Sequence, residues 1–281
     1  MTESIDLAAY LARINYTGPV EPSLPVLHCL VQQHVAAIPF ENLDVLAGRV
    51  PNLTLPALQE KMLHSRRGGY CLEQNKLLSA ALTGVGYKVE GMIARVRLGV
   101  PEAVSMQRTH MMLMVLLAEK RFLVDVGFGA MVPTAPLRLD DETPVETSNG
   151  RFRIQANGAH RMLQSWMDED WRNLYYIEPH LPEPADYDMA NFFVATVPNG
   201  MFTANLILSR VVEGERRTVL NSQFTRRQPG KHPVRHSITS REAFAAFLRD
   251  EFDLITGDAE LDAISRVVDA SLVEQSFAVP F

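Results

Sequence analysis

The stretch Thr109-His110-Met111-Met112-Leu113-Met114-Val115-Leu116-Leu117-Ala118-Glu119-Lys120-Arg121-Phe122-Leu123-Val124-Asp125-Val126-Gly127 is two apolar runs joined by a short polar break. Runs of this length bounded by turn residues read as strands. A two-residue turn at Ala118-Glu119 or Glu119-Lys120 makes them a hairpin with Asp125 opposite Met112 or Met114, on the face that carries His110. His110 and Asp125 are then same-face neighbours, at best a diagonal pair ~7–8 Å apart at the backbone and within reach of each other's side chains. An odd-length turn would put them on opposite faces. Residues 89–98 have the same character, and residues 151–155, 161–166 and 171–177 extend it. With no helical pattern between these runs, a doubly wound parallel sheet is excluded and a mainly antiparallel sheet or small barrel is expected.

Before Tyr87 the period is helical. Residues 5–14 open the chain, and Leu24, Leu27, Leu30, Val31 and Val35 follow at helical spacing until Pro39. An amphipathic stretch, residues 55–64, leads into Arg66-Arg67-Gly68-Gly69-Tyr70-Cys71. A helix then resumes with Leu78, Ala81, Leu82 and Val85 on one face and stops at Gly84 and Gly86. Beyond the strands, residues 204–212 and 218–225 flank Gly214 as a hairpin. Thr239-Ser240-Arg241-Glu242 has the form of a capping box ahead of Phe244, Phe247, Leu248 and Phe252, and a last helix carries Leu261, Ile264, Val267 and Val268. The class is α+β.

A chain of 281 residues, 47% hydrophobic and 21% charged, has the balance of a globular protein with two or three folding units. Its formal net charge of −6 speaks against a nucleic-acid partner, which needs a concentrated basic surface. One basic cluster stands out: Arg226, Arg227, Lys231, His232, Arg235 and His236. It reads either as a solvated surface or as a place for an anionic cofactor. No apolar run approaches the ~20 residues of a membrane span, and residues 1–10 lack a signal-peptide pattern, so a cytoplasmic setting is expected. Two cysteines exclude a disulfide framework, and eight histidines without ligand spacing make a metal site unexpected.

Cys71 follows a Gly-Gly pair and opens a helix, which puts its sulfur near unpaired backbone N–H groups and the positive end of the helix dipole. A small core hydrophobe is the alternative role for such a cysteine. Asp125 interrupts an apolar strand, where a carboxylate must be paired or hydrogen-bonded. Alone, His110 and Asp125 each read as structural residues. With Cys71 they supply the nucleophile, the base and the orienting carboxylate that thiol acyl transfer requires. Cys29, His28 and His34 read as core or helix-face residues.

Residues Ile38-Pro39-Phe40-Glu41-Asn42-Leu43-Asp44-Val45, Arg66-Arg67-Gly68-Gly69-Tyr70-Cys71-Leu72-Glu73-Gln74-Asn75, Arg108-Thr109-His110 and Asp125-Val126-Gly127-Phe128-Gly129 together resemble the arylamine N-acetyltransferases, closely the bacterial ones. The resemblance implies a cysteine-protease-like core in three parts. A helical bundle (1–86) carries Cys71, an antiparallel β-barrel (87–195) carries His110 and Asp125, and an α/β lid (196–281) follows. It implies acetyl-coenzyme A as donor, with arylamines, arylhydrazines or N-hydroxyarylamines as acceptors, in a ping-pong reaction through an acetyl-cysteine. It also implies that Thr109, Gly127, Gly129 and Phe202 accommodate coenzyme A. Phe40, Val96 and Phe128 would wall the acceptor, and Glu41 with Arg67 would form a buried ion pair. Where family members often show Ser-Pro-x-Ser-x-Phe, this chain has Thr196-Val197-Pro198-Asn199-Gly200-Met201-Phe202. The competing readings are a papain-like or transglutaminase-like cysteine hydrolase, with the same Cys, His, Asp order, and a catalytically silent binding module.

Overall fold

The computed structural model describes residues 4–101 and 103–277. Helices α1 (Leu7–Arg13) and α2 (Leu24–Ala37) come first, the second capped by Ser23 with Pro25 in its first turn. A two-residue strand β1 (Phe40–Glu41) and a short helix α3 (Leu43–Leu46) follow. Then come α4 (Leu55–Gln59), a π-helical turn Glu60–His64 and helix α5 (Cys71–Val85). Gly86, at φ +105, closes α5 in the left-handed conformation that glycine adopts most freely.

Eight antiparallel strands follow: β2 (Lys88–Val96), β3 (Arg108–Leu117), β4 (Lys120–Val124), β5 (Leu137–Arg138), β6 (Val145–Thr147), β7 (Gly150–Asn157), β8 (His160–Met167) and β9 (Asp170–Ile177). Their order is β5-β4-β3-β2-β9-β8-β7-β6, and β5 lies against β7, so the sheet curls into a nearly closed barrel. The period of two decides what each face does. On β3, Met112 and Met114 point into the barrel with Leu123, Phe152, Leu163 and Tyr175. Met111, Leu113 and Val115 point outward into the core built by α2 and α5. The sheet is therefore buried on both faces along β3. That explains its unbroken apolar sequence.

The β3–β4 turn is Ala118-Glu119, both at positive φ, with Leu117 paired to Lys120 and Leu113 to Val124. The even-length hairpin is the one expected; its pairing ends at Val124, and Asp125 follows directly.

A helix absent from the sequence reading, α6 (Pro184–Thr196), crosses from the barrel to the last third of the chain. Its buried face is Tyr187, Ala190, Asn191, Val194 and Ala195, but Met189 and Phe192 lie exposed on the other side and hide the periodicity. Helix α7 (Met201–Ala204) occupies the start of the run expected as strand, which begins only at β10 (Ile207–Val212). The second run divides at Asn221-Ser222 into β11 (Glu215–Leu220) and β12 (Gln223–Arg227), followed by β13 (Val234–Ser237). These strands form a sheet ordered β1-β10-β11-β12-β13, so Phe40 and Glu41 pair with Ser209 and Leu208 across the chain. Helices α8 (Arg241–Phe252) and α9 (Asp258–Phe277) cover it. The N-cap of α8 is Ser240, whose Oγ accepts the Ala243 N–H, a single cap one residue later than the capping box placed it.

Gly68 and Gly69 run beside Pro39 and Phe40, with Phe40 bridging Gly69. A Cβ on Gly68 would stand 2.0 Å from the Pro39 carbonyl oxygen, a backbone atom that cannot swing aside. Gly68→Ala should therefore lower stability by about 2–3 kcal/mol. Gly48→Ala, at φ +76 in open space, should cost only about 1 kcal/mol. Urea midpoints of the two variants check the contrast.

Candidate active site

The loop into α5 leaves the π-turn through Arg66, at φ +51, and reaches Cys71 as the first helical residue. Two side chains from α5 fasten that loop. Gln74 Nε2 donates to the carbonyls of Pro39 and Gly69, at 3.1 and 2.7 Å. Glu73 Oε2 accepts the Tyr70 N–H at 3.0 Å, capping the helix from within. The Cys71 thiol is buried and donates to the Thr109 carbonyl at 3.7 Å. Thr109 is the extra residue of a β-bulge: Ala94 pairs with His110, whereas Arg95 pairs with Arg108. Bulges re-aim side chains next to them, and this one presents both the Thr109 carbonyl and His110 to the thiol.

His110 Nε2 donates to Asp125 Oδ2 at 2.7 Å, leaving Nδ1 for the thiol. Asp125 has no exposed surface, yet four donors satisfy it. His110 and the Tyr175 hydroxyl (2.9 Å) meet Oδ2, and Asn75 Nδ2 (3.0 Å) and the Gly127 N–H (2.8 Å) meet Oδ1. Burial would raise the Asp125 pKa, but the His110 charge and these hydrogen bonds hold it below the usual carboxylate range. Burial alone would lower the His110 pKa. The charge of Asp125 and the bond to it outweigh burial and, with a smaller share from Cys71, push His110 up to about 10. A histidine in this setting readily keeps a proton received from a thiol.

Aromatic side chains surround these three residues. Phe128 packs edge-on to His110 at 4.9 Å and to Tyr175 at 5.0 Å, between ring centroids. Phe40, Tyr70 and Phe202 form a second group, Phe202 lying 6.0 Å from Phe40 and 5.7 Å from Tyr70. Val96 is half-buried on β2 opposite Tyr175, one residue beyond the bulge. Gly127 touches the helix that carries Cys71: a Cβ there would lie 2.5 Å from Cys71 Cα and 2.8 Å from Asn75 Nδ2. Gly129, at φ +62, turns the chain beside Phe40 and Ser209. Glu41 has no exposed surface and pairs with Arg67 Nη2 at 2.8 Å.

The basic cluster of the sequence separates into different surroundings. Arg226 pairs with Glu251 and Glu215, and His236 packs on Phe224. Arg227 lines a cleft of about 550 Å³ between barrel and last sheet with Ala130, Met131, Trp166, Ser209 and Arg216. Cys29 and His28 are exposed on α2, while His34 is fully buried with Tyr10 on its Nδ1. Sequence reading missed Asn75 and Tyr175. Asn75 follows Cys71 by four residues, one helical turn, and that spacing could have drawn attention to it. Tyr175 lies on a distant strand and carried no such mark.

A sequence profile of the N-acetyltransferase family matches residues 23–260. The chain is 34% identical to the arylamine N-acetyltransferase / N-hydroxyarylamine O-acetyltransferase of Salmonella typhimurium, over 94% of this chain and 96% of that one. Among solved structures it is similar to the arylamine N-acetyltransferase of Mycobacterium marinum, with a TM-score of 0.89 and 33% identity, covering 94% of this chain and all of the other. A second structure from that organism, in complex with CoA, matches at a TM-score of 0.88 and 34% identity over 94% and 99% of the two chains. The profile match, the shared length and the common fold together place this chain in the arylamine N-acetyltransferase family.

Proposed function

We propose that this protein transfers an acetyl group from acetyl-coenzyme A to the nitrogen of an arylamine or arylhydrazine, or to an N-hydroxyarylamine, through an acetyl-Cys71 intermediate. The observation that carries the reading is the buried thiol at the start of α5, facing a histidine whose other ring nitrogen is bound to a four-fold hydrogen-bonded aspartate. His110 takes the Cys71 proton, and the thiolate attacks the thioester carbonyl. The coenzyme A thiolate leaves with that proton. The amine then attacks acetyl-Cys71, gives its proton to His110 and restores the thiol. Asp125 fixes the imidazole and stabilises its cationic form. Phe40, Phe128 and Val96 wall the aromatic acceptor, while Thr109, Gly127, Gly129 and Phe202 flank the donor's thiol arm. Two unpaired cysteines suit a reducing, cytoplasmic setting.

The cleft beside Ser209 offers a path for the donor's anionic end. Arg216 and Arg227 sit directly opposite each other on β11 and β12, and neither meets a carboxylate among the described residues. Like charges in that arrangement repel, and burial together with Arg227 lowers the Arg216 pKa. A phosphate group between them would relieve both effects. The hydrolase reading is disfavoured because the family relatives are named for transfer to amines.

Acetyl-coenzyme A alone should place one acetyl group on the Cys71 peptide and release coenzyme A before any amine is added, with parallel double-reciprocal plots at steady state. Cys71→Ser should abolish this and Cys29→Ala should not. Intersecting plots with no trapped acetyl group would overturn the intermediate. Asp125→Asn should lose turnover by about 10³–10⁴-fold, measured alongside a melting curve. Arg216→Gln and Arg227→Gln should each raise the KM for acetyl-coenzyme A about tenfold, the scale of one charge-assisted contact, and leave a phosphate-free acetyl thioester unaffected.

A further inference from the structure

Behind the nucleophile lies a buried cluster of charges. Lys61, on the π-turn Glu60–His64, has its ammonium 2.7 Å from Glu73, 2.5 Å from Asp44 and 3.8 Å from Glu41. Arg67 Nη2 stands 2.8 Å from Glu41 and 3.5 Å from Asp44, and Arg49 stands 2.6 Å from Asp44. The three carboxylates are thus supported unequally. Glu41 and Asp44 each have an arginine besides Lys61. Glu73, almost wholly buried, has Lys61 as its one cation among the described residues.

Glu73 is also the carboxylate that accepts the Tyr70 N–H and so shapes the first turn of α5, two residues from the thiol. Burial pushes its pKa up and the nearby Glu41 adds to this, while Lys61 and the Tyr70 N–H oppose it. An uncompensated charge here would compete with an ionised Cys71 for the positive end of the same helix. A carboxylate at this position needs its cation close and fixed, and a π-turn is a common device at functional sites.

We propose that Lys61 is a positioning residue of the acyl transfer: it holds and neutralises Glu73, which in turn sets the first turn of the helix bearing Cys71. The inference rests on Cys71 being the nucleophile. Lys61→Met keeps much of the apolar stem and leaves Glu73 as the one carboxylate of the three without a cation, since Asp44 and Glu41 keep their arginines. Its acetylation should slow by about tenfold or more, the scale of a partly buried charge at a helix end, with little change in half-saturating donor. A second consequence is specific to the charge. Without Lys61 the folded-state pKa of Glu73 lies further above its unfolded value. The folded protein then binds more protons than the unfolded chain, and stability falls as pH rises between the two values.

The test uses the full chain in a Cys29→Ala background. Single-turnover acetylation of Cys71 by acetyl-coenzyme A and melting temperature are followed from pH 5 to 8. Lys61→Met should acetylate slowly and lose melting temperature with rising pH relative to the parent. Lys61→Arg should stay near the parent. Adding Glu73→Gln to Lys61→Met should restore most of the rate and remove the new pH dependence, because the amide oxygen still accepts from Tyr70 and carries no charge. The double variant keeps the test decisive even where Lys61→Met does not fold. A normal rate in folded Lys61→Met, or a double variant that stays slow or unfolded, would overturn the proposal and place the role of Lys61 with Asp44 and Glu41. A parent protein that takes no acetyl group would instead sink the nucleophile assignment.

Discussion

A carboxylate with no access to water holds this structure's working parts together. An ionised group so placed is tolerated only when its lone pairs are filled. Asp125 fills its own from four places: β3 through His110, β9 through Tyr175, α5 through Asn75 and its own turn through Gly127. Asn75 also donates to the Met111 carbonyl and accepts the Val126 N–H, so the helix and the barrel are stitched together beside Cys71 and His110. Removing any one donor leaves a buried charge short of a partner, which is costly in a low-dielectric interior. On the proposed mechanism, structural and chemical roles therefore fall on the same atoms.

Much of this was legible in the sequence for local reasons. The hairpin carrying His110 and Asp125 needed only a two-residue turn and a period of two, and Ala118-Glu119 supplies the turn. Cys71 could be placed because Gly68-Gly69 and the helical spacing after it are adjacent in the chain. What escaped was non-local or masked. Tyr175 reaches Asp125 from a strand 50 residues away, and no spacing rule joins them. Helix α6 was hidden because Met189 and Phe192 put apolar residues on its exposed side. The break at Asn221-Ser222 is a turn signal only two residues long between two short strand-like runs, and it was read through. β1 was invisible because two residues make a strand only when another segment, here β10, pairs with them.

The pairing of β1 with β10 has a wider effect. It seats Phe40 against the Gly129 backbone and beside the Phe202 ring, so segments from the first, middle and last parts of the sequence meet at one point. Asn42 strengthens the joint by donating to the carbonyls of Phe202 and Asn205 and accepting the Ile207 N–H. The last third of the chain is thus anchored to residues 40–42, which lie beside the loop leading into α5.

The contact of Gly127 with Cys71 also bears on how the protein tolerates mutation. Thiol and imidazole belong to different layers, and the space between those layers is filled to the width of a missing methyl group. Such a joint has no mechanical tolerance. A displacement of ~1 Å between reacting groups can cost ~10²-fold in rate, whereas the packing energy lost in the same slip is small. Core residues such as Leu78 and Val115, buried where helix meets barrel, help to hold that spacing. On the proposed mechanism, a misfit between the two layers too small to move a melting curve would still lower turnover.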